Sequence, residues 1–249
     1  MHYGFCNLNI VPVRWEPIDS SEMVTQLLFG DHFKVIEKRK KWSKIRIAFD
    51  QYEGWVDNKQ YLDITEDQYN EIEQTPNQLT GDVIDFLQGN ENQLIPISLG
   101  ANINKVELGG YTYEGRTFQG KRSKEQFLET AFLYLHAPYL WGGKTPFGID
   151  CSGLTQMVYK LNGYQLFRDA SQQSKQGEAL SFIEESEPGD LAFFDNQEGE
   201  IIHVGIIMKD NYVIHAHGKV RVDRLDHSGI FNVDTKQYSH NLRVIKKII

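Results

Sequence analysis

Gly148-Ile149-Asp150-Cys151-Ser152-Gly153-Leu154 is the stretch from which the rest of the chain can be read. A glycine and an acidic residue precede the cysteine. Leu154, Val158 and Leu161 follow it on one face at helical spacing. Cys151 therefore sits where a loop enters a helix. A helix start offers unpaired amide donors and the positive end of the helix dipole. Both favour a thiolate, and a free thiol with a pKa of about 8.5 carries little of it at pH 7. Gly153 leaves room for a close neighbour. A lone cysteine is more often a small buried core residue. The polar, glycine-rich setting and the histidines downstream tilt the reading of Cys151 towards a nucleophile.

Upstream, Ser123-Lys124-Glu125-Gln126 reads as a helix start, with serine as N-cap and glutamine three residues on. Phe127, Ala131, Leu133, Tyr134 and Leu135 continue it. A loop rich in Pro, Gly and Trp, residues 138–148, leads to Cys151. Downstream, Leu191-Ala192-Phe193-Phe194, residues 201–208 and residues 212–217 read as strands. Lys209-Asp210-Asn211 is a turn signal between the last two. That hairpin brings His203 towards His215 and His217, which share one face of their strand, so spacing alone leaves the choice between them open. A strand-borne base oriented by a second polar group is the logic of a nucleophile triad. A cysteine-bearing helix followed by a histidine-bearing antiparallel sheet is the order of a papain-like core.

The amino-terminal part has a different character. Residues 9–14, 24–30, 32–37, 42–48 and 53–57 are short runs, several alternating polar and apolar, separated by turn signals. They predict a small all-β barrel. An arginine after a β run, then Gln26-Leu27-Leu28-Phe29-Gly30, then a Trp42 strand and Gly54-Trp55-Val56 resemble a bacterial SH3-like domain over residues 6–64. Residues 66–78 read as a short polar helix and linker. Residues 79–120 hold further short apolar runs and read as a second, degenerate SH3-like β module, or, from their Gly and Asn content, equally as a long irregular connection. The expected organisation is an SH3-like domain at 1–65, a linker helix and degenerate module at 66–120, and a catalytic domain at 121–249.

Over residues 120–249 a second resemblance is specific. Tyr139-Leu140-Trp141-Gly142-Gly143, the Cys151 stretch, Gly189-Asp190-Leu191-Ala192-Phe193-Phe194, His203-Val204-Gly205-Ile206 and Ile214-His215-Ala216 resemble the NlpC-type cysteine peptidases in motif, order and spacing. The resemblance implies Cys151 as nucleophile, His203 as base and His215 as the residue orienting it. The fold it implies is α+β, a papain-like cysteine peptidase core with a helix packed on an antiparallel sheet, preceded by one or two small SH3-like β-barrels. The implied reaction is acyl transfer. Cys151 attacks an amide carbonyl, His203 protonates the leaving amine, and water releases the acyl-enzyme. Asp150, Ser152 and Trp141 line the groove by this resemblance, and Asp169, in Arg168-Asp169-Ala170-Ser171-Gln172-Gln173, meets the substrate. Asp150 also suits a helix N-cap. Such enzymes cut murein peptides between γ-linked D-glutamate and a diamino acid. Members with SH3-like domains in front require a free N-terminal L-alanine. In those an acidic residue and a tyrosine of the front domain meet the substrate ammonium; Glu22 and Tyr61 are the candidates, with Tyr52 a rival. The implied product is L-Ala-γ-D-Glu, in cell-wall peptide recycling. The competing classes are a non-catalytic wall-binding protein and a papain-like amidase or acyltransferase.

Bulk properties set the outer limits. The chain has 249 residues and 40% hydrophobic residues, enough for a globular core without staples. A formal net charge of −8 gives no electrostatic support for nucleic-acid binding. Only Cys6 and Cys151 are present, which excludes a disulfide framework and a cysteine-rich zinc site. The chemistry requires no metal and no cofactor. No run approaches the roughly 18 apolar residues of a membrane span, and no basic, then apolar leader opens the chain. A cytoplasmic location is expected.

Overall fold

A computed structural model describes residues 2–249, and the chain divides into two units, Met1–Lys121 and Arg122–Ile249. In the first unit, β1 (His2–Phe5), β2 (Ile10–Arg14), β3 (Met23–Leu28), β4 (His32–Lys38), β5 (Trp42–Ile47), β6 (Glu53–Asp57) and β7 (Leu62–Ile64) form one antiparallel sheet. Its order is β3-β2-β6-β5-β4-β1-β7. The alternation in the sequence is what buries one face. Val11 and Val13, Phe33 and Val35, and Ile45 and Ile47 point into a common core with Cys6 and Tyr61.

Thr65 then caps α1 (Glu66–Gln74) through a capping box with Gln68, and Tyr69 and Ile72 form its buried face. The middle segment forms two separate two-stranded ladders. β8 (Gln78–Thr80) pairs with β11 (Thr117–Gln119), and β9 (Ile84–Gln88) pairs with β10 (Leu94–Ser98). Leu87, Ile97, Ala101 and Ile103 share one core with Phe5, Phe29 and Ile72. Residues 66–120 thus complete the hydrophobic burial of the strands before them. Gly30 makes this possible. Its φ is +83°, and a Cβ there would lie 1.7 Å from the Asn102 carbonyl oxygen.

In the second unit α2 (Gln126–Phe132) starts two residues later than Ser123 as N-cap indicates. Residues 123–125 instead form a turn in which the Ser123 carbonyl accepts from the Gln126 amide. A two-stranded bridge, β12 (Lys144–Thr145) and β13 (Gly148–Ile149), leads into α3 (Cys151–Leu161), followed by α4 (Ala170–Gln173) and the edge strand β14 (Glu178–Leu180). The remaining strands are β15 (Leu191–Asp195), β16 (Ile201–Ile207), β17 (Tyr212–His217), β18 (Lys219–Asp226), β19 (Gly229–Asn232) and β20 (Gln237–Lys247). They run antiparallel in the order β14-β20-β15-β16-β17-β18-β19, and β20 pairs with β19 as well as with β15. The sheet therefore closes into a ring from β15 to β20. Register shifts at Phe193/Phe194 and Ile230/Phe231 let the long strand β20 bend between its two neighbours. Ala192, Phe194, Ile207, Val213, Leu225, Ile230 and Ile245 pack together as its core. The helix α3 packs against β16 and β17. Among the described residues no helix is long and apolar enough to cross a membrane.

Candidate active site

Cys151 is the first residue of α3, as its sequence context predicts. The N-cap is Asp150, whose Oδ1 accepts from the Gly153 amide at 2.7 Å. The same carboxylate also ties down the preceding loop, since Oδ2 accepts from the Gly142 amide at 2.8 Å. Arg168 grips it from the other side. Its Nη2 donates to Asp150 Oδ2 at 2.6 Å, and its Nη1 donates to Asp150 Oδ1 and Ser152 Oγ at 3.0 Å each. The Asp150 and Arg168 side chains are 7% and 1% exposed. Asp150 is thus fully engaged beneath the nucleophile candidate, holding loop and helix start in register. Gly153 is the close-approach position the sequence indicates: a Cβ there would lie 2.4 Å from the Gly143 carbonyl oxygen.

The histidines come from adjacent strands of the ring. Gly205 of β16 pairs with His215 of β17, and His215 pairs with Arg221 of β18. His203, His215 and Asp223 therefore share one face, each displaced two residues along the next strand. Their side chains span this diagonal. His203 Nε2 meets His215 Nδ1 at 2.8 Å, and His215 Nε2 meets Asp223 Oδ2 at 3.0 Å. Arg221 donates to both Asp223 oxygens, from Nε at 2.6 Å and Nη2 at 2.9 Å, and the Val233 amide adds a bond to Oδ1 at 3.2 Å. The Cys151 thiol lies against the backbone of Val204, the residue after His203.

From β20, His240 stacks on His203, with ring centroids 4.1 Å apart and planes 19° from parallel. Ring nitrogens of His203, His215 and His240 lie within 4.8 Å of one another. Stacked rings hold their lone pairs in parallel planes, and the His203–His215 pair already shares a proton. This geometry is that of a hydrogen-bonded and stacked array rather than of lone pairs converging on one ion.

Burial dominates the electrostatics. It pushes the Cys151 thiol up to about 12, helped by the Asp150 carboxylate and opposed by the Val204 backbone, Arg168 and the Ser152 amide. It pushes His203 well below the usual imidazole range, with the neighbouring His215, His240 and His217 adding to the effect. His215 is lowered by burial, partly offset by Asp223. Burial lowers His240 to about 4. Burial would raise Asp223, but the bonds from His215, Arg221 and Val233 outweigh it and hold the carboxylate far below its usual range. Desolvation at Cys151 thus works against the helix-start effect read from the sequence and favours the neutral thiol, as burial of His203 favours the neutral imidazole.

The other sequence candidates are scattered over different environments. Ser152 is buried and accepts from Arg168. Trp141 is 60% exposed on the loop before the cysteine. Asp169 is the N-cap of α4, its amide bonded to Gln172 Oε1 at 3.2 Å. Glu22 and Tyr61 belong to the first unit. Glu22 is exposed, whereas Tyr61 is buried in the sheet core with its hydroxyl 2.9 Å from Ser43 Oγ; Tyr52 packs against the same core. Sequence reasoning missed Asp223, Arg221, His240 and the anchoring role of Arg168. It also passed over Tyr139, half-buried close to Cys151. Burial, and then the charges of Cys151 and Asp150, push the Tyr139 hydroxyl up to about 12. No local pattern marks Asp223, which falls in the polar phase of its strand with Lys219 and Arg221.

Comparison with known proteins finds relatives of both units. Residues 136–239 match the NlpC/P60 family, and residues 13–60 match the bacterial dipeptidyl-peptidase SH3 domain. Dipeptidyl-peptidase 6 of Lysinibacillus sphaericus is 28% identical over 245 residues, covering 85% of this chain and 87% of that protein. The gamma-D-glutamyl-L-lysine dipeptidyl-peptidase of Bacillus subtilis is 39% identical over 100 residues, which cover 39% of this chain and a third (33%) of that protein. The crystal structure of an NlpC/P60 family protein from Bacillus cereus superposes with a TM-score of 0.81 at 20% identity, covering 99% of both chains. The carboxy-terminal unit is therefore an NlpC/P60 cysteine peptidase domain, and the amino-terminal unit of the same chain carries a bacterial dipeptidyl-peptidase SH3 domain.

Proposed function

We propose that this peptidase hydrolyses the γ-D-glutamyl-L-diamino acid bond of murein peptides with a free N-terminal L-alanine, releasing L-Ala-γ-D-Glu in cell-wall peptide recycling. The observation that carries the chemistry is the anchored helix start at Cys151, set against the strand that bears His203, which is itself bonded to His215 of the next strand. The substrate reading is supported by relatives whose names specify a gamma-D-glutamyl-L-lysine dipeptidyl-peptidase and a dipeptidyl-peptidase.

His203 takes the thiol proton as Cys151 attacks the carbonyl carbon, so the charged pair exists only when substrate is there to use it. The tetrahedral oxyanion is held by the Cys151 amide at the helix start and by the Tyr139 hydroxyl, which stays protonated and able to donate. His203 then delivers its proton to the leaving amine of the diamino acid. Water, deprotonated by His203, releases the acyl group. Asp150 and Arg168 act through the helix start rather than on substrate.

Mass spectrometry of the products from L-Ala-γ-D-Glu-L-Lys and its diaminopimelate counterpart tests the reading, with Cys151→Ala as control. Release of L-Ala-γ-D-Glu by the wild type alone is the expected result. Cleavage at another bond removes the substrate reading, and an active Cys151→Ala removes the nucleophile.

A further inference from the structure

The third group behind the nucleophile is a histidine, which has two ring nitrogens and can present either a donor or an acceptor to His203. Something must decide which. Asp223 has no exposure and receives donors from three directions: Arg221 on both oxygens, the Val233 amide on Oδ1 and His215 on Oδ2. Bound to a guanidinium and an amide, its carboxylate is ionised and only accepts. His215 Nε2 must then carry the proton. With His215 neutral, as its full burial favours, Nδ1 has a bare lone pair, so the 2.8 Å bond to His203 requires a proton on His203 Nε2. That leaves His203 Nδ1 unprotonated, the form in which it can take the thiol proton.

We infer that Asp223 is a positioning residue that sets the tautomers of two rings in series, His215 directly and His203 through it, and so keeps the base lone pair bare. The inference rests on the peptidase reading for its consequence, but the tautomers themselves can be observed without any substrate. Arg221, with further bonds to Asn232 and Asp234, holds the carboxylate in place. The other ionisable groups facing the array are His217 of β17, His240 of β20 and Cys151 of α3.

Asp223→Asn should reverse the relay. An amide with its NH₂ group at the Oδ2 position opposes one donor, Arg221 Nε. The flipped amide opposes two, Arg221 Nη2 and Val233 N. The first orientation wins and donates to His215 Nε2. His215 then carries its proton on Nδ1, donates to His203 Nε2 and forces the His203 proton onto Nδ1. The base lone pair is lost although every side chain keeps its shape. Asp223→Ala removes the acceptor without imposing the wrong tautomer.

Two readouts on the full chain decide the matter. In histidine-selective ¹⁵N long-range spectra, the wild type should show pyridine-type Nδ1 on both His203 and His215, and Asp223→Asn should show pyridine-type Nε2 on both. The rate of Cys151 alkylation by iodoacetamide, read at that residue by mass spectrometry, should fall in the order wild type, Asp223→Ala, Asp223→Asn. The last loss should be on the order of 10⁴-fold, the scale of a tautomer error at an aspartate–histidine pair. If Asp223 only fills space and holds Arg221, the isosteric Asn outperforms Ala, and that order overturns the inference. A wild-type spectrum with the proton on His203 Nδ1 overturns it even where a variant fails to fold. Failure to cleave murein peptides would overturn the substrate reading and leave both readouts standing.

Discussion

Arg168→Met tests whether the site is held from beneath. Methionine keeps most of the unbranched stem and removes the guanidinium. The Asp150 carboxylate then keeps its bonds to the Gly142 and Gly153 amides but loses its cation, in a place where its side chain is 7% exposed. Removing one partner of a buried pair costs roughly 3–5 kcal/mol, because the remaining charge is desolvated and uncompensated. Against a total stability of about 5–15 kcal/mol that is a large fraction. Urea unfolding of the full chain should show a midpoint far below wild type. A double-mutant cycle with Asp150→Asn, which can still cap the helix, should give a coupling of about 2 kcal/mol or more, because the double variant has no stranded charge. Cys151 alkylation should slow in parallel as the helix start loses its tie to the Gly142 loop. A loss below about 1 kcal/mol, or two single losses that simply add, would refute a buried, coupled pair.

Other outcomes follow from burial. Because His203 stays neutral well below the usual imidazole pKa of about 6.5, the acid limb of kcat/KM should lie well under pH 6.5, with activity lost as pH falls through it. His240→Ala should move that limb to higher pH, since it opens His203 to water and removes a neighbouring cation; an unmoved or lowered limb would contradict the stacking account. Gly30→Ala should destabilise the first unit by at least about 1–3 kcal/mol in urea unfolding from the left-handed backbone alone, with the clash at the Asn102 carbonyl adding to it.

The parts of this fold legible in the sequence are those set by neighbours along the chain. The apolar spacing after Cys151 gave the helix, and Lys209-Asp210-Asn211 gave the turn between β16 and β17. The choice between His215 and His217 was not legible from spacing, because residues two apart in a strand share a face. What separates them is depth: His215 is fully buried and bonded on both nitrogens, while His217 lies exposed at the strand end. Asp223 and His240 reach the site through strand order in a closed sheet, which local pattern does not encode. Arg168 is hidden for a similar reason. Its burial depends on a carboxylate 18 residues away that is itself needed as a cap. Ser123 carried a helix-start signal, yet the helix begins two residues later, with Glu125 as its N-cap, within the range over which local capping rules are inexact.

The diagonal of His203, His215 and Asp223 has a bearing on how such a sequence can change. Successive members are spaced by the hydrogen-bond ladder of β16, β17 and β18, so backbone pairing acts as the ruler. The connection at residues 209–211 and the tight turn at Gly218 lie outside that ruler and are free to lengthen. A single residue inserted within β17 would turn His215 to the opposite face and break the relay at its middle, with every residue type still present. Drift in this domain is therefore constrained less by the length of chain between these residues than by the place each holds in its paired strand, and insertions should be tolerated in the loops while being purged from the strands.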